Sequence, residues 1–453
     1  MFQSDFGSKI KSRSMGVKLL TVCVLALAMC IPALFVNGLL DDRTHRASEV
    51  VRDVSNLVGG QQTFLGPTLA IPYTIPTENP QANPTHGTYI VFPSQATGAL
   101  KISTEERRRS LFRVPVFQAD LKFDASFDLA GVPSAAPQGA VLDWTHAEFV
   151  AGVSDARGAL SDGVFSMNGK SSALLPSALA DGITFNADPN SPLKLKLFGA
   201  PAGSLSPHSQ FSVSSVMRFS GAQRIAVLAY GKTTHLVMQG DWSNPSFDGG
   251  FLPSNRTVTP AGFTADWTVP FIARGVRADG VMDSIRGLDA TALGVSFVEL
   301  ADPYQSVNRS LKYVLLFLGL VFLSYFIFEV TTGKRVHPAQ YVLVGIAQIV
   351  FFLLLLSLSE RIGFDLGFLI AGATTVSLLS INAGWIFSSR IQALRALVIF
   401  GLLYVLIYML LRLEDNALLI GAVASFLAVA TAMYFTRSID WYGALPDPAS
   451  PNK

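Results

Sequence analysis

Cysteine is all but absent from this chain: Cys23 and Cys30 are the only two, both inside one apolar run near the N-terminus. Residues 41–310 contain none, so no disulfide braces that segment and no thiolate metal site can form in it. Charge is scarce as well. Lys and Arg number 34 against 32 Asp and Glu, and a formal net charge of +2 provides no basic field for a nucleic-acid partner. Residues 41–310 are slightly acidic, with 21 Lys and Arg against 24 Asp and Glu, and hold no run long enough to cross a bilayer.

Signatures of chemistry are missing too. His45, His86, His146, His208, His235 and His337 never fall in an H-E-x-x-H pattern, and no G-x-S-x-G elbow presents a serine nucleophile. GKSS at residues 169–172 stands too far from Gly163 for a phosphate cradle. We therefore assign no catalytic, metal-binding or cofactor-binding residue, and read the chain as a non-enzyme without a cofactor.

What the chain has is apolar length. A helix needs about 20 apolar residues to cross about 30 Å of hydrocarbon. Runs at residues 19–40, 311–330, 341–359, 366–388, 396–413 and 417–435 meet or approach that length. The expected fold is a six-helix integral membrane protein in contact with the lipid bilayer, with a large, mainly β domain at residues 41–310 between its first and second helices. Residues 311–436 form a five-helix bundle on this reading. Ala26 and Ala28 give an A-x-A pattern, but the apolar run continues to Leu40, as in an uncleaved anchor.

Orientation follows from the short loops, because basic flanks stay on the cytoplasmic side. Lys9, Lys11, Arg13 and Lys18, then Lys334 and Arg335, Arg390 and Arg395, and Arg437 share one side. The opposite turns carry Arg361 and Arg412 beside Glu360, Asp365, Glu414 and Asp415. The N-terminal residues 1–18 and the short tail 437–453 are thus expected in the cytoplasm, and residues 41–310 in the periplasm.

Within residues 41–310, Leu121, Phe123, Ala125, Phe127 and Leu129 alternate with Lys122, Asp124, Ser126 and Asp128, the period of a half-buried strand. Pro and Gly clusters punctuate shorter alternations, which predicts a sandwich or barrel. A boundary between two joined β units would fall near residues 199–208. Val50, Val51, Val54, Leu57 and Val58 recur at helical spacing, predicting an amphipathic stalk that Gly59 and Gly60 end.

The candidate interaction or structural residues are few. Asp155 and Arg157 lie in GVSDARG at residues 152–158, a sequence that reads as a turn with a local ion pair. Asp241, Trp242, Phe247 and Phe251 lie among turn residues at 240–256, where the aromatics either form a recognition surface or fold back onto a β core. In the bundle, Glu329, Glu360 and Arg412 stand at the ends of runs, from which side chains reach the interface. Asn382, inside a run, is expected to bond a neighbouring helix, and the four-residue spacing of Gly367 and Ala371 suits close helix packing.

GPTLAIPY at residues 66–73, GVSDARG, GDWSNPSFDGGFLPSNR at 240–256, HPAQYVLVG at 337–345 (with His337) and SIDWYG at 438–443 resemble the CreD family over nearly the whole chain. The resemblance implies a bacterial inner-membrane protein of cell-envelope integrity with a large periplasmic domain. It also implies an association with envelope stress, colicin tolerance and β-lactam response. It carries no catalytic residue, substrate or cofactor onto these positions. The tail after Tyr442 is shorter than the charged tails of the family.

The leading expectation is a non-enzymatic protein whose periplasmic domain binds another envelope protein or envelope component. A transporter or lipid-handling bundle, with Gln348 and Asn382 lining a path, is the alternative. A periplasmic hydrolase built on Ser154, Asp155 and Arg157 ranks third.

Overall fold

The computed structural model describes residues 15–76, 83–109, 112–177, 183–185, 193–203, 205–276, 279–281, 287–297, 303–412 and 417–437. Lys9, Lys11, Arg13, Glu414, Asp415 and the SIDWYG motif lie outside them. The chain divides into a β unit, Ala47–Leu300, and a helical unit made of Met1–Arg46 with Ala301–Lys453.

The helices, in chain order, are α1 (Met15–Ala28), α2 (Cys30–Leu57), the short α3 (Val132–Ala135) and α4 (Phe271–Arg274), α5 (Pro303–Lys312), α6 (Val314–Thr332), α7 (Pro338–Ile362), α8 (Phe364–Phe387), α9 (Arg390–Arg412) and α10 (Ala417–Thr436). Among the described residues, α6, α7, α8, α9 and the joined run Gly16–Leu57 are long and apolar enough to cross a membrane. The break at Met29 between α1 and α2 follows from Pro32, which has no N–H to give and crowds the carbonyl four residues earlier. The helical unit takes in α5, ahead of the expected start at 311, because Tyr304, Val307, Ser310 and Leu311 are buried. Gly333, at φ 68°, ends α6 by donating its N–H to the Glu329 carbonyl.

The β unit is a sandwich of an 11-stranded and an 8-stranded sheet around one core. Leu121, Phe123, Ala125 and Phe127 are buried in the strand Phe112–Asp128, which pairs antiparallel with Gln95–Arg109 on one side and Gln210–Ala222 on the other. Gln62–Ile75 runs through the other sheet with both faces buried as far as Ile71. Rings close the space between sheets: Phe64 on Phe219 at 5.3 Å and Phe127 on Phe149 at 5.5 Å between centroids.

The stretch around 199–208 does not separate two β units. Leu193–Pro201 pairs with Glu148–Val153 in one sheet, whereas Gln210–Ala222 pairs in the other, and both strands line the same core. The turn residues there carry the chain across the sandwich. The end of α2 lies on this unit, with Val50, Val51, Val54 and Val58 packed against Val114, Val116 and Ala222.

Candidate functional site

A dense polar cluster of the β unit is built on Gln62, a residue with no exposed surface at the start of its strand. Its amide nitrogen donates to the carbonyls of Gly59 at 3.0 Å, Asp155 at 2.9 Å and Ser220 at 3.3 Å. Its amide oxygen accepts from the Ser154 hydroxyl at 3.2 Å and the Asp155 N–H at 3.4 Å. One side chain thus ties the end of α2 to the GVSDARG turn and to the strand Gln210–Ala222. Backbone proximity demands the glycine: a Cβ on Gly158 would stand 2.3 Å from the Ser220 carbonyl oxygen.

Asp155 caps the 3-10 turn Ala156–Gly158 by accepting from the Arg157 N–H at 2.9 Å, and its two oxygens take the Arg157 guanidinium at 3.0 Å and 2.6 Å. Burial pushes the Asp155 carboxyl up, but the hydrogen bonds and charge of Arg157 outweigh it and hold the group below its usual value. Ser154 accepts from the Thr63 N–H at 2.9 Å and directs its own proton toward Gln61 and Gln62. The motif is a turn that binds its own chain. Gln62 carried no signal in the sequence, because its partners Asp155 and Ser220 lie 93 and 158 residues away.

Residues 240–256 are not one open loop. Pro245–Gly249 forms a strand against Ala292–Phe297, and Asn255–Thr259 pairs with Gly262–Val269. Trp242 packs on Phe297 at 6.0 Å, Phe247 on Phe263 and Trp267 at 6.0 Å, and the Phe251 carbonyl accepts from the Trp267 indole at 3.0 Å. All three aromatics fold back onto the core. Asp241 accepts from the Thr104 N–H at 2.8 Å and hydroxyl at 2.7 Å, pinning a neighbouring strand.

The helical unit holds the remaining candidates. His337 caps α7, accepting from the Ala339 N–H at 3.2 Å ahead of Pro338. Asn382 accepts from the Tyr325 hydroxyl at 3.3 Å, a bond between α8 and α6. Glu329 corrects the expectation that it reaches the interface: it is 3% exposed and accepts from Lys18 Nζ, the Val336 N–H at 3.0 Å and the Tyr341 hydroxyl at 3.2 Å. The signal that could have found this pair is that Lys18 and Glu329 are opposite charges set at the ends of apolar runs.

One concavity lies on the outward face of the 8-stranded sheet, about 350 Å³ in volume. Ala125, Gly169 and Val213 contribute to its lining, which is more apolar than polar, and its polar groups are the hydroxyls, amides and single carboxylate of Gln95, Thr97, Asp124, Ser126, Ser166, Asn168, Ser212 and Ser214. It exists because these residues alternate with buried neighbours such as Ala125 and Val213. Asn168 at φ 50° and Gly169 at φ 78° form the tight hairpin turn at its rim, which accounts for the glycine of GKSS. Among the described residues, no group of three or more His, Cys, Asp or Glu is placed to hold a metal ion.

The family model described as Inner membrane protein CreD matches residues 14–442. Inner membrane protein CreD of Escherichia coli (strain K12) is 29% identical over 432 residues, covering 92% of this chain and 91% of that protein. A match of that extent, together with the apolar helices, makes the chain a multi-pass inner-membrane protein that belongs to the CreD family.

Proposed function

We propose that this protein maintains the cell envelope without catalysis, binding an envelope component through its β unit while the helices hold it in the inner membrane. On this reading α10 is the sixth span, both termini are cytoplasmic and residues 41–310 are periplasmic. Supporting the orientation, Lys334, Arg335, Arg390, Arg395 and Arg437 fall on one side of the bundle sequence and only Arg361 and Arg412 on the other.

The observation that carries the binding role is the concavity on the 8-stranded sheet, where hydroxyls and amides stand on a partly apolar floor. Short hydroxyls, two amides and one carboxylate offer many donors and acceptors and little charge, chemistry suited to the hydroxyls of a glycan strand. Ser154, Asp155 and Arg157, the group that a hydrolase would need, are spent on their own turn.

The test is rescue of a deletion strain's detergent sensitivity by full-length protein with Ser214→Trp, which fills the concavity from an outward-facing position. Thr257→Trp, on the exposed strand Asn255–Thr259, is the control. At equal membrane abundance, we expect the Ser214 variant to lose rescue and the Thr257 variant to keep it. Full rescue by both would remove the concavity from function.

A further inference from the structure

The polar groups of the concavity are ordered by the sheet beneath them. Thr97, Asp124, Ser214 and Ser166 stand opposite one another on four neighbouring strands, so they form one row across the sheet. The register carries that row past the concavity on both sides, to His235 and Thr268 in one direction and to Ser171 in the other. Every member is exposed or half-buried, while the chain neighbours Trp267, Leu236, Phe123, Val213 and Phe165 are buried on the inner face. From Thr268 to Ser171 the row crosses six strand spacings, about 29 Å.

The next row along the strands differs in chemistry. Val237, Ala99, Val216, Val164 and Ala173 occupy it, with Lys122 between Ala99 and Val216. Val216 is 50% exposed and Val164 42%, so an apolar strip faces outward about 7 Å from the polar row. Lys122 and Asp124 hold each other at 3.2 Å. Hydroxyls thus stand beside methyl groups, with the opposite charges of the two rows paired.

Resting on the binding role of the concavity, we propose that its ligand is an uncharged polysaccharide bound lengthwise along the polar row, across the strands, with the apolar faces of its rings over Val216 and Val164. A sugar ring carries hydroxyls at its edge and C–H groups on its faces, the same division as the two rows. An anionic polymer would bring its repeated charge against Asp124, whose neighbouring ammonium is already engaged. An extended peptide takes its affinity from main-chain hydrogen bonds at a sheet edge, whereas Thr97, Asp124 and Ser214 lie on interior strands paired on both sides. The rim turn at Asn168 and Gly169 stands beyond Ser166 along its own strand, so it borders the row without crossing it.

The experiment is calorimetric binding of the β-1,4-linked N-acetylglucosamine trimer and hexamer to the detergent-solubilised full chain. We expect the hexamer to bind at least about tenfold tighter than the trimer, because it reaches groups beyond the concavity. Thr268→Trp, exposed two strands outside the concavity, should weaken the hexamer by about tenfold and leave the trimer unchanged. Ser171→Trp, at the opposite end of the row, should do the same and guards against misfolding of the first variant. Arg218→Trp, exposed on the strand of Ser214 but displaced along it, should change neither oligomer. Equal affinities for trimer and hexamer, or a hexamer indifferent to both row-end variants, would overturn the lengthwise mode; loss of binding in Ser214→Trp would then still leave the concavity its ligand. A hexamer weakened by Arg218→Trp in place of the row-end variants would turn the ligand along the strands and reject the proposal. If neither oligomer binds, the concavity is no site for such a glycan and the lengthwise mode falls with it.

Discussion

Gly59, at the end of α2, and Gly158, at the end of the GVSDARG turn, are in backbone contact: a Cβ on Gly59 would stand 2.6 Å from the Gly158 Cα. Neither position has room for a side chain, and Gly59 also needs its φ of 96°. The contact joins a helix to a sandwich with no side chain between them.

Gly158→Ala should therefore destabilise the Ala47–Leu300 unit by about 1–3 kcal/mol, the usual cost of forcing a methyl into packed structure. Gly131→Ala, where a Cβ would meet nothing within 4 Å, should change little. Urea unfolding followed by tryptophan fluorescence checks both. Equal midpoints for the two variants would show that the contact can relax.

The Asp155 and Arg157 pair makes a prediction in pH. Its folded carboxyl lies below the usual value, so the stabilisation is complete above the unfolded pKa of about 4 and is lost as pH falls through the folded pKa. Asp155→Asn should cost about 1 kcal/mol at neutral pH, as a partly exposed pair does. The gap to wild type should close in acid. A gap independent of pH between about 3 and 7 would mean that the turn is held by its backbone alone.

Arg274 is 2% exposed, its guanidinium lies 4.0 Å over the Phe92 ring, and none of its nitrogens has a hydrogen-bond partner. Burial lowers its pKa to about 10, against the opposing pull of Asp279. Since the folded state disfavours the charge, Arg274→Met should be neutral or stabilise the unit by about 1–4 kcal/mol, with retention of the Phe92 contact. Thermal unfolding at pH 7 measures it. A large loss of stability would show that the cation–π contact outweighs the cost of burying the charge.

In the helical unit, half-buried Lys18 and buried Glu329 should behave as a coupled unit. Glu329→Met alone leaves Lys18 without its partner and should cost about 3–5 kcal/mol, while Lys18→Met with Glu329→Met should recover much of that. Steady-state abundance in membranes and detergent melting temperature report the order. A double variant no better than the single would show that the Val336 and Tyr341 bonds to Glu329, rather than the ion pair, set its value.

The sequence was legible where one element could be judged by itself. The apolar runs admit only a spanning or fully buried helix, and the 121–129 alternation fits only a strand with one face inward. Legibility failed where a residue's partner is remote. Gln62 looks like any polar residue before a strand, and Glu329 like any acid at a helix end. GDWSNPSFDGGFLPSNR reads as turns because its glycines and aspartates are conspicuous. Yet Gly249 and Gly250 mark backbone crowding against the Ala292 and Ala290 carbonyls, not openness. Asp248 crosses to Arg224 at 2.8 Å to hold the edge of a sheet. The motifs that betray the family are, in the described residues, mostly devices of folding.

The β unit begins and ends on nearby strands: Gln62 aligns with Ile225, and Arg224 aligns with Ser296 on the far side of that strand. Two strand spacings, about 10 Å, separate the first of these strands from the last. Adjacent first and last strands are the architecture of a self-contained insertion, a cassette in place of a loop. Its contents could diverge in sequence, or be exchanged wholesale, while the host helices keep their register.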